Sequence, residues 1–263
     1  MKIVKPGIEI MEQDVSLGLE GALRHIERIG RGCYKSEDRI TEDSYKKFVK
    51  MLEDKGHGAM LEHGTVYLIV PTYEAQEVLA VIGKYSVSWV NHIRKFHAIT
   101  TNYRTLYENN LLDLMTKKWV VDGHERRVSV RFVCDRGVSH EFVRNRGKLG
   151  NAFAQESTRY CDYNKAEGVA YCLPIWLTDE QRQKFEDACR INECWYEQAR
   201  VMWGWQPQQA RGFLNHFLKT ELIITAFMSE EHFLSLRAAP SAHPSAQELA
   251  YMVKEEFENR GWL

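Results

Sequence analysis

Apolar and polar positions along this chain repeat with two different periods. Over residues 42–55, Tyr45, Phe48, Val49 and Leu52 fall at i, i+3, i+4 and i+7, one apolar stripe of a helix that Gly56 is suited to end. Leu19, Leu23, Ile26 and Ile29 predict an earlier helix over 18–29. The period then changes. "GTVYLIV" (64–70) is a short, nearly continuous apolar run stopped by Pro71 and reads as a strand. In "RRVSVRFVC" (126–134), Val128, Val130, Phe132 and Cys134 alternate with Arg127, Ser129 and Arg131, which predicts a strand with one buried face.

Between these strands, helix-like segments near 74–83 and 87–97 precede "TTNYRTLYENNLLDL", with no Pro/Gly/Ser linker on either side. That pattern predicts a helical insertion over about 71–126 in a single domain spanning 1–263. Farther along, Thr178-Asp179-Glu180 suits the start of a long helix over 178–203, a capping residue followed by early acids. "KTELIITAF" (219–227) is open between strand and helix, whereas 230–237 and 245–260 read as helices, the second after Pro244. Helices and strands without regular alternation imply an α/β chain of the α+β type, a mixed or antiparallel sheet packed with helices.

With 263 residues and a formal charge of -1, no global field draws this protein to nucleic acid or anionic membrane. The N-terminus lacks the apolar core of a signal peptide, and no run has the length of a membrane span. The six cysteines form no CxxC pair and no zinc-ligand spacing, so a reduced, cytoplasmic setting without a metal is expected. Basic character is local, concentrated in "EFVRNRGKLGNAFAQESTRYCDY" (141–163). There Arg144, Arg146 and Arg159 offer guanidinium forks, Gly147 and Gly150 permit close backbone approach, and Ser157 and Thr158 add hydroxyls. Gln155 carries both donor and acceptor, and Tyr160 and Tyr163 are able to stack on a ring. On composition alone this stretch is a solvated loop, a nucleic-acid patch or a pocket for one small anion.

Several blocks narrow the choice. "HEFVRNR…QESTRY" resembles the signature of the flavin-dependent thymidylate synthases, an Arg-His-Arg followed by Ser. "GRGCYKSED" (30–38), "KGHGAMLEHGTVYLIV" (55–70), "VCDRGVSHEFVRNR" (133–146), "QARGFLN" (209–215) and "HFLSLRAAPSAHPSAQELA" (232–250) resemble that family's blocks in its order. The resemblance implies that family's fold and reductive methylation of dUMP to dTMP. The one-carbon unit would come from 5,10-methylenetetrahydrofolate and the hydride from FAD reduced by NADPH. It also implies a homotetramer with active sites where subunits meet.

Residue by residue, the resemblance puts Glu141, Arg144, Gln155, Ser157, Thr158, Arg159, Arg211 and Arg237 at dUMP. Ser157 and Arg159 would hold its phosphate, and Arg237 would lie against uracil as the catalytic cation. His57, Ala59, Glu62, Arg144, Asn145, Arg146, Gln155 and His232 would contact FAD, with Cys33 a further candidate. Read by themselves, His57 and His63 are also what polar contacts beside a turn look like. Arg211 and Arg237, on otherwise apolar stretches, would be equally served by a ligand or by a carboxylate. Phe233 and Leu236 read as core, and Trp195, Tyr196, Trp203 and Trp205 as packing. Ser157 has no histidine within ten residues to activate it, and the resemblance implies no enzyme nucleophile, so Ser157 is assigned to binding.

Three positions depart from the pattern. Asn145 stands for the usual His; the interval from Arg146 to Ser157 is three residues longer, an excess around Gly147–Gly150 that either bulges outward or reshapes the folate and flavin mouth; and Met228 stands where an arginine can serve the cofactor. Two alternatives follow from them: a related enzyme making another C5-modified pyrimidine nucleotide, such as a hydroxymethyl nucleotide, and a non-catalytic nucleotide- or RNA-binding protein.

Overall fold

The computed structural model describes residues 1–116, 123–145, 150–165, 168–227 and 232–263, apart from the side chains of Met115, Thr116 and His232. Two short strands, β1 (Lys2–Val4) and β2 (Gly7–Met11), precede helices α1 (Leu19–Cys33), α2 (Ser44–Asp54) and the single turn α3 (Gly58–Leu61). Then come β3 (Thr65–Pro71), α4 (Thr72–Ile82), β4 (Val87–Asn91), β5 (Phe96–Asn102) and α5 (Tyr103–Glu108). The second half runs β6 (Arg127–Asp135), α6 (Arg136–Phe142), β7 (Ala152–Gln155), β8 (Ala170–Cys172), α7 (Asp179–Val201) and α8 (Pro207–Ala210). It ends with β9 (Lys219–Phe227), α9 (His232–Arg237) and α10 (Pro244–Asn259).

The predicted stripe of α2 is the buried one: Tyr45, Phe48, Val49 and Leu52 all face inward. Thr178 caps α7 with its side chain accepting from the Gln181 amide, and Gln181 reciprocates in a capping box. β6 is the centre of the larger antiparallel sheet, order β2-β6-β9-β7, and pairs with β9 from Arg127↔Phe227 to Asp135↔Lys219. The open segment 219–227 is therefore a strand. Flanked by β6 and β7 and covered on both faces, its β-branched residues are buried as a central strand requires.

The 71–126 insertion is not a helical one, and this corrects the reading of 87–97. Val87–Asn91 and Phe96–Asn102 form a hairpin added to β3, giving a three-stranded antiparallel sheet of order β3-β5-β4. Its turn is set by the Asn91 side chain, which accepts from the Arg94 amide at 2.9 Å, and by Lys95 at φ 55°. Valine, tryptophan and threonine at alternate sites favour the pleat over a helix. Only α4 and α5 of this segment are helical. Ile82, Ile99, Tyr103 and Leu106 share one core with Ile26, Leu52, Leu61 and Leu68.

The expectation of one buried face on β6 also needs correction. Val128, Val130, Phe132 and Cys134 pack beneath α6 and α10 as predicted. Ser129 and Arg127 on the opposite side are buried as well, 3% and 8% exposed, where α1 reaches Ser129 through His25 and β3 reaches Arg127 through Thr65. Their polar groups must then find partners inside the protein. His25 Nε2 lies 2.8 Å from Ser129 Oγ, Ser129 Oγ lies 2.6 Å from Thr225 Oγ1, and Thr225 Oγ1 lies 2.7 Å from His63 Nδ1. This continuous chain joins α1, β6, β9 and His63, two residues beyond α3. Burial first, and then neighbouring positive charge, pushes both imidazoles down to about 3, so they are neutral at ordinary pH.

Candidate functional site

The basic stretch of the sequence is split by the fold between two elements. Asp135 caps α6 with Oδ1, accepting from the Val138 amide at 2.7 Å, and the helix ends at Phe142. Arg144 therefore lies beyond the last helical turn and is exposed, free of the helical rotation that would set it against its neighbours. After Gly150, whose φ of 75° suits glycine, the chain enters β7 and emerges at Gln155. Gln155 Nε2 donates to Ser139 Oγ of α6 at 2.7 Å and more weakly to Thr220 Oγ1 at 3.3 Å. That bond ties the end of β7 to the helix that carries Glu141.

Glu141 is where the second cluster attaches. Arg237, on α9, donates Nη1 to Glu141 Oε2 at 2.8 Å and Nη2 to the Glu141 carbonyl at 2.5 Å, while its Nε is buried without a partner. A carboxylate is thus among the partners of Arg237. Arg211 differs from its expected setting: it sits on a 3-10 turn, is exposed, and donates Nη1 to Thr158 Oγ1 at 3.0 Å. The fold thus pairs Arg237 with Glu141 on α6, ties Gln155 to Ser139 of the same helix, and pairs Arg211 with Thr158, three residues beyond Gln155, with Ser157 and Arg159 on the same turn as Thr158. Ser157 Oγ accepts from the Arg159 amide at 3.3 Å, which leaves the Arg159 guanidinium extended over the Tyr160 ring at 5.5 Å.

The second block reaches the same region from the other side, because α3 packs on β7. His57 and Ala59 are exposed on it. Glu62 is not open, since Arg104 of the inserted segment donates Nη1 to its Oε1 at 2.7 Å. Asn145 is buried, and its Oδ1 has no hydrogen-bond partner. It stands at the edge of an apolar cavity of about 70 Å³ between β6, β9 and α10. Cys33 does not offer its thiol: the side chain is packed with Ile29, Ala154 and Ile223, and only its carbonyl touches the loop, accepting from the Ser157 amide at 3.2 Å. Burial, with Glu221 and Glu156 nearby, pushes that thiol up to about 12. Arg146 and Met228 lie outside the described residues, as does the side chain of His232. His63 is the plain structural contact that its position beside a turn suggested. Phe233 packs on Phe132 and Phe142, but Leu236 is 47% exposed and does not belong to the core. Trp195, Trp203 and Trp205 pack around Phe213 at the surface, and Tyr196 is buried.

Sequence reasoning missed what supports the loop. Glu156, between Gln155 and Ser157, points inward and is 3% exposed. It accepts from Tyr163 Oη at 3.0 Å and from Lys219 Nζ at 3.2 Å. Next to it Glu221 receives Lys35, Lys219 and Arg131. Burial opposes the charge on Glu221, but hydrogen bonds and charge from Lys219 and Lys35 outweigh it and hold the carboxyl at about 2. The signal was available in "KTE": on a strand, Lys219 and Glu221 share a face. Among the described residues no group of three or more His, Cys, Asp or Glu is placed to hold a metal ion, and no helix is long and apolar enough to cross a membrane.

The sequence profile of a family described as thymidylate synthase complementing protein matches residues 69–260. No curated protein matches the sequence. Among solved structures, the UMP/dUMP methylase PolB from Streptomyces cacaoi bound with 5-Br dUMP is similar at 14% identity and a TM-score of 0.47, over 98% of this chain and 93% of that one. The same enzyme bound with 5-Br UMP gives 13% identity and a TM-score of 0.48, over 98% and 92%.

Proposed function

The chain belongs to the thymidylate synthase complementing protein family, the flavin-dependent thymidylate synthases, and from that premise we propose that it methylates dUMP at C5 to give dTMP. The observation that carries this reading is the pairing of candidates from separate blocks: Arg237 on Glu141 of α6, Gln155 on Ser139 of the same helix, and Arg211 on Thr158, three residues beyond Gln155. Contacts between separate family blocks are what a nucleotide site built from several elements requires.

In this reading Arg159, Ser157 and Arg211 hold the nucleotide phosphate with charge-assisted hydrogen bonds. Thr158 keeps Arg211 in place. Gln155, already anchored on Ser139, and Glu141 line the base, and Arg144 stands between nucleotide and flavin. Arg237 is the catalytic cation. Activating C5 of uracil builds negative charge on N3 and O4, and a fixed guanidinium aimed there stabilises it. Glu141 orients that guanidinium from two sides, so little reorganisation accompanies the reaction. No side chain here acts as a nucleophile: Ser157 lacks an activating base among its hydrogen-bond partners, and the Cys33 thiol is packed in the core.

The residues fit a flavin. Asn145 Oδ1 is a buried acceptor with no hydrogen-bond partner among the described residues, the atom type that a flavin ring N–H requires, and His57 and Ala59 are exposed at α3. Those residues would hold FAD together with Arg144, with Arg146 and His232 assigned by family position, and Glu62 on release from Arg104. Gln155 is shared with dUMP. When bound and reduced by NADPH, FAD supplies the hydride that completes the methyl group from 5,10-methylenetetrahydrofolate. A homotetramer would complete the site from neighbouring subunits.

The Arg104–Glu62 ion pair brings the inserted segment to the cofactor side, and it favours one second reading, a different C5-modified product from the same pocket. One assay addresses both. The full chain is supplied with dUMP, methylenetetrahydrofolate, NADPH and FAD, and the product mass is read. A mass of dTMP supports the main reading, a hydroxymethyl nucleotide the second. Bound, reducible flavin with no nucleotide product would reject both.

A further inference from the structure

On the far side of β6 from α10 lies a second cavity, about 440 Å³, that the proposed reaction does not use. That volume is within the roughly 300–1,000 Å³ of small-ligand sites. Arg126 and Arg127 both line it, with His25, Ser129, Tyr67 and Trp262.

The two arginines are unlike their neighbours. On the same face of the same strand, Arg131 donates to Glu221 and to Glu9, and across from it Arg28 pairs with Glu9 at 2.7 Å. Arg127 has no such partner. Its Nη1 donates to the Glu62 carbonyl at 3.0 Å and to Thr65 Oγ1 at 3.4 Å, its Nε is buried without a hydrogen bond, and its guanidinium lies 5.3 Å from the Phe227 ring. It is 8% exposed, its hydrogen bonds go to neutral groups, and the nearby Glu62 carboxylate that acts on it is already bonded to Arg104. Burial accordingly brings it down to about 10. Arg126, exposed at the mouth, lies over the ring of Trp262 at 5.0 Å. The one carboxylate in the lining, Glu12, is already held by Arg260.

A buried guanidinium whose nearest carboxylate is shared with another arginine is costly, and the ordinary solution is an anion beside it. The cavity is also far larger than an isolated oxyanion, and Trp262 and Tyr67 give it aromatic walls. We infer that this cavity is a second binding site, for a small ligand carrying a phosphate or carboxylate on a flat organic body. Arg127 and Arg126 would hold the oxyanion, and Trp262 and Tyr67 would flank the ring. The site goes beyond the proposed reaction and does not depend on it. It does touch the interior: His25 and Ser129, in its wall, begin the hydrogen-bonded chain that runs through Thr225 to His63, the residue following the Glu62 block.

Phenyl phosphate and benzoate, titrated calorimetrically into the full chain at constant ionic strength, test this. The titration is repeated in an Arg159→Ala/Arg211→Ala background, which removes the phosphate donors of the nucleotide loop. One saturable equivalent should survive in that background, and adding Arg126→Gln should weaken it at least tenfold. Arg126 is preferred to Arg127 for the test because it is at the solvent edge, where substitution does not endanger folding. The tighter of the two probes identifies the oxyanion as phosphate or carboxylate. Binding of neither probe to the unmodified chain would overturn the inference. So would binding that vanishes in the double-substituted background and is indifferent to Arg126→Gln.

Discussion

Arg237 reaches Glu141 twice, through the carboxylate at 2.8 Å and the backbone carbonyl at 2.5 Å, and so joins α9 to α6 across the head of the larger sheet. The pair fixes the one cation that the proposed chemistry needs at the base. Arg237→Ala should lower kcat by about a hundredfold to a thousandfold, the scale of losing one preorganised donor at developing charge. The melting temperature should change little, because the bond is at a partly exposed edge. Steady-state turnover with a parallel thermal melt checks this, and near-normal activity would remove Arg237 from catalysis.

Glu221 should give the protein an acid limit. Its carboxyl is held at about 2 in the folded state against an ordinary 4.5. The stabilisation is therefore complete above about pH 4.5 and is lost as pH falls from there through 2. Denaturant midpoints measured from pH 7 down to 2.5 should fall across that window. Glu221→Gln should be less stable at pH 7 and show a shallower decline, since it carries no proton linkage.

The buried imidazoles act at higher pH. His25 and His63 are each held at about 3 against an ordinary 6.5, so the unfolded chain takes up protons first. Stability is full above about 6.5 and declines as pH falls toward 3. Melting temperatures at pH 8, 6.5 and 5 should decrease in that order. In His25→Gln the slope should be roughly halved; an unchanged slope would show that these rings are not the groups responsible.

Asn145→His restores the residue type that the family signature carries. The side chain has an apolar cavity of about 70 Å³ beside it, and the asparagine oxygen is unpartnered already. FAD affinity, followed by flavin fluorescence, should be retained or tightened. A tenfold loss would mean that the longer loop builds a different cofactor mouth.

Arg104→Ala frees Glu62. The pair is at a partly exposed position, and such pairs contribute about 0–1 kcal/mol, so stability should hardly move. If Glu62 serves the flavin, FAD binding should tighten. Weaker binding would instead make Arg104 itself part of the cofactor surface.

Part of the candidate site was legible in the sequence because it is written in contiguous blocks. "QESTRY" and "HFLSLR" identify their chemistry by residue type and order, and Gln155 and Arg237 do meet the helix carrying Glu141. What supports those residues was not legible. Glu156 looks like one more polar residue of the loop, and only the pairing of β7 with β9 turns it toward Lys219 and Tyr163. The same holds for Glu62, which Arg104 reaches from 42 positions away.

By itself the sequence determined the elements whose periodicity is local: the α2 stripe, the capped α7, and the strands over 65–71 and 127–135. It also determined the family. Tertiary structure decided the 219–227 strand, the hairpin where helix was expected, and the burial of Arg127 and Ser129. The physical reason is common to all three. Side-chain spacing reports which face of an element is apolar, but what covers the other face depends on partners distant in the chain. Here α1 and β3 cover the polar face of β6 through His25 and Thr65, and they create both the histidine-to-histidine chain and the cavity that Arg126 and Arg127 line.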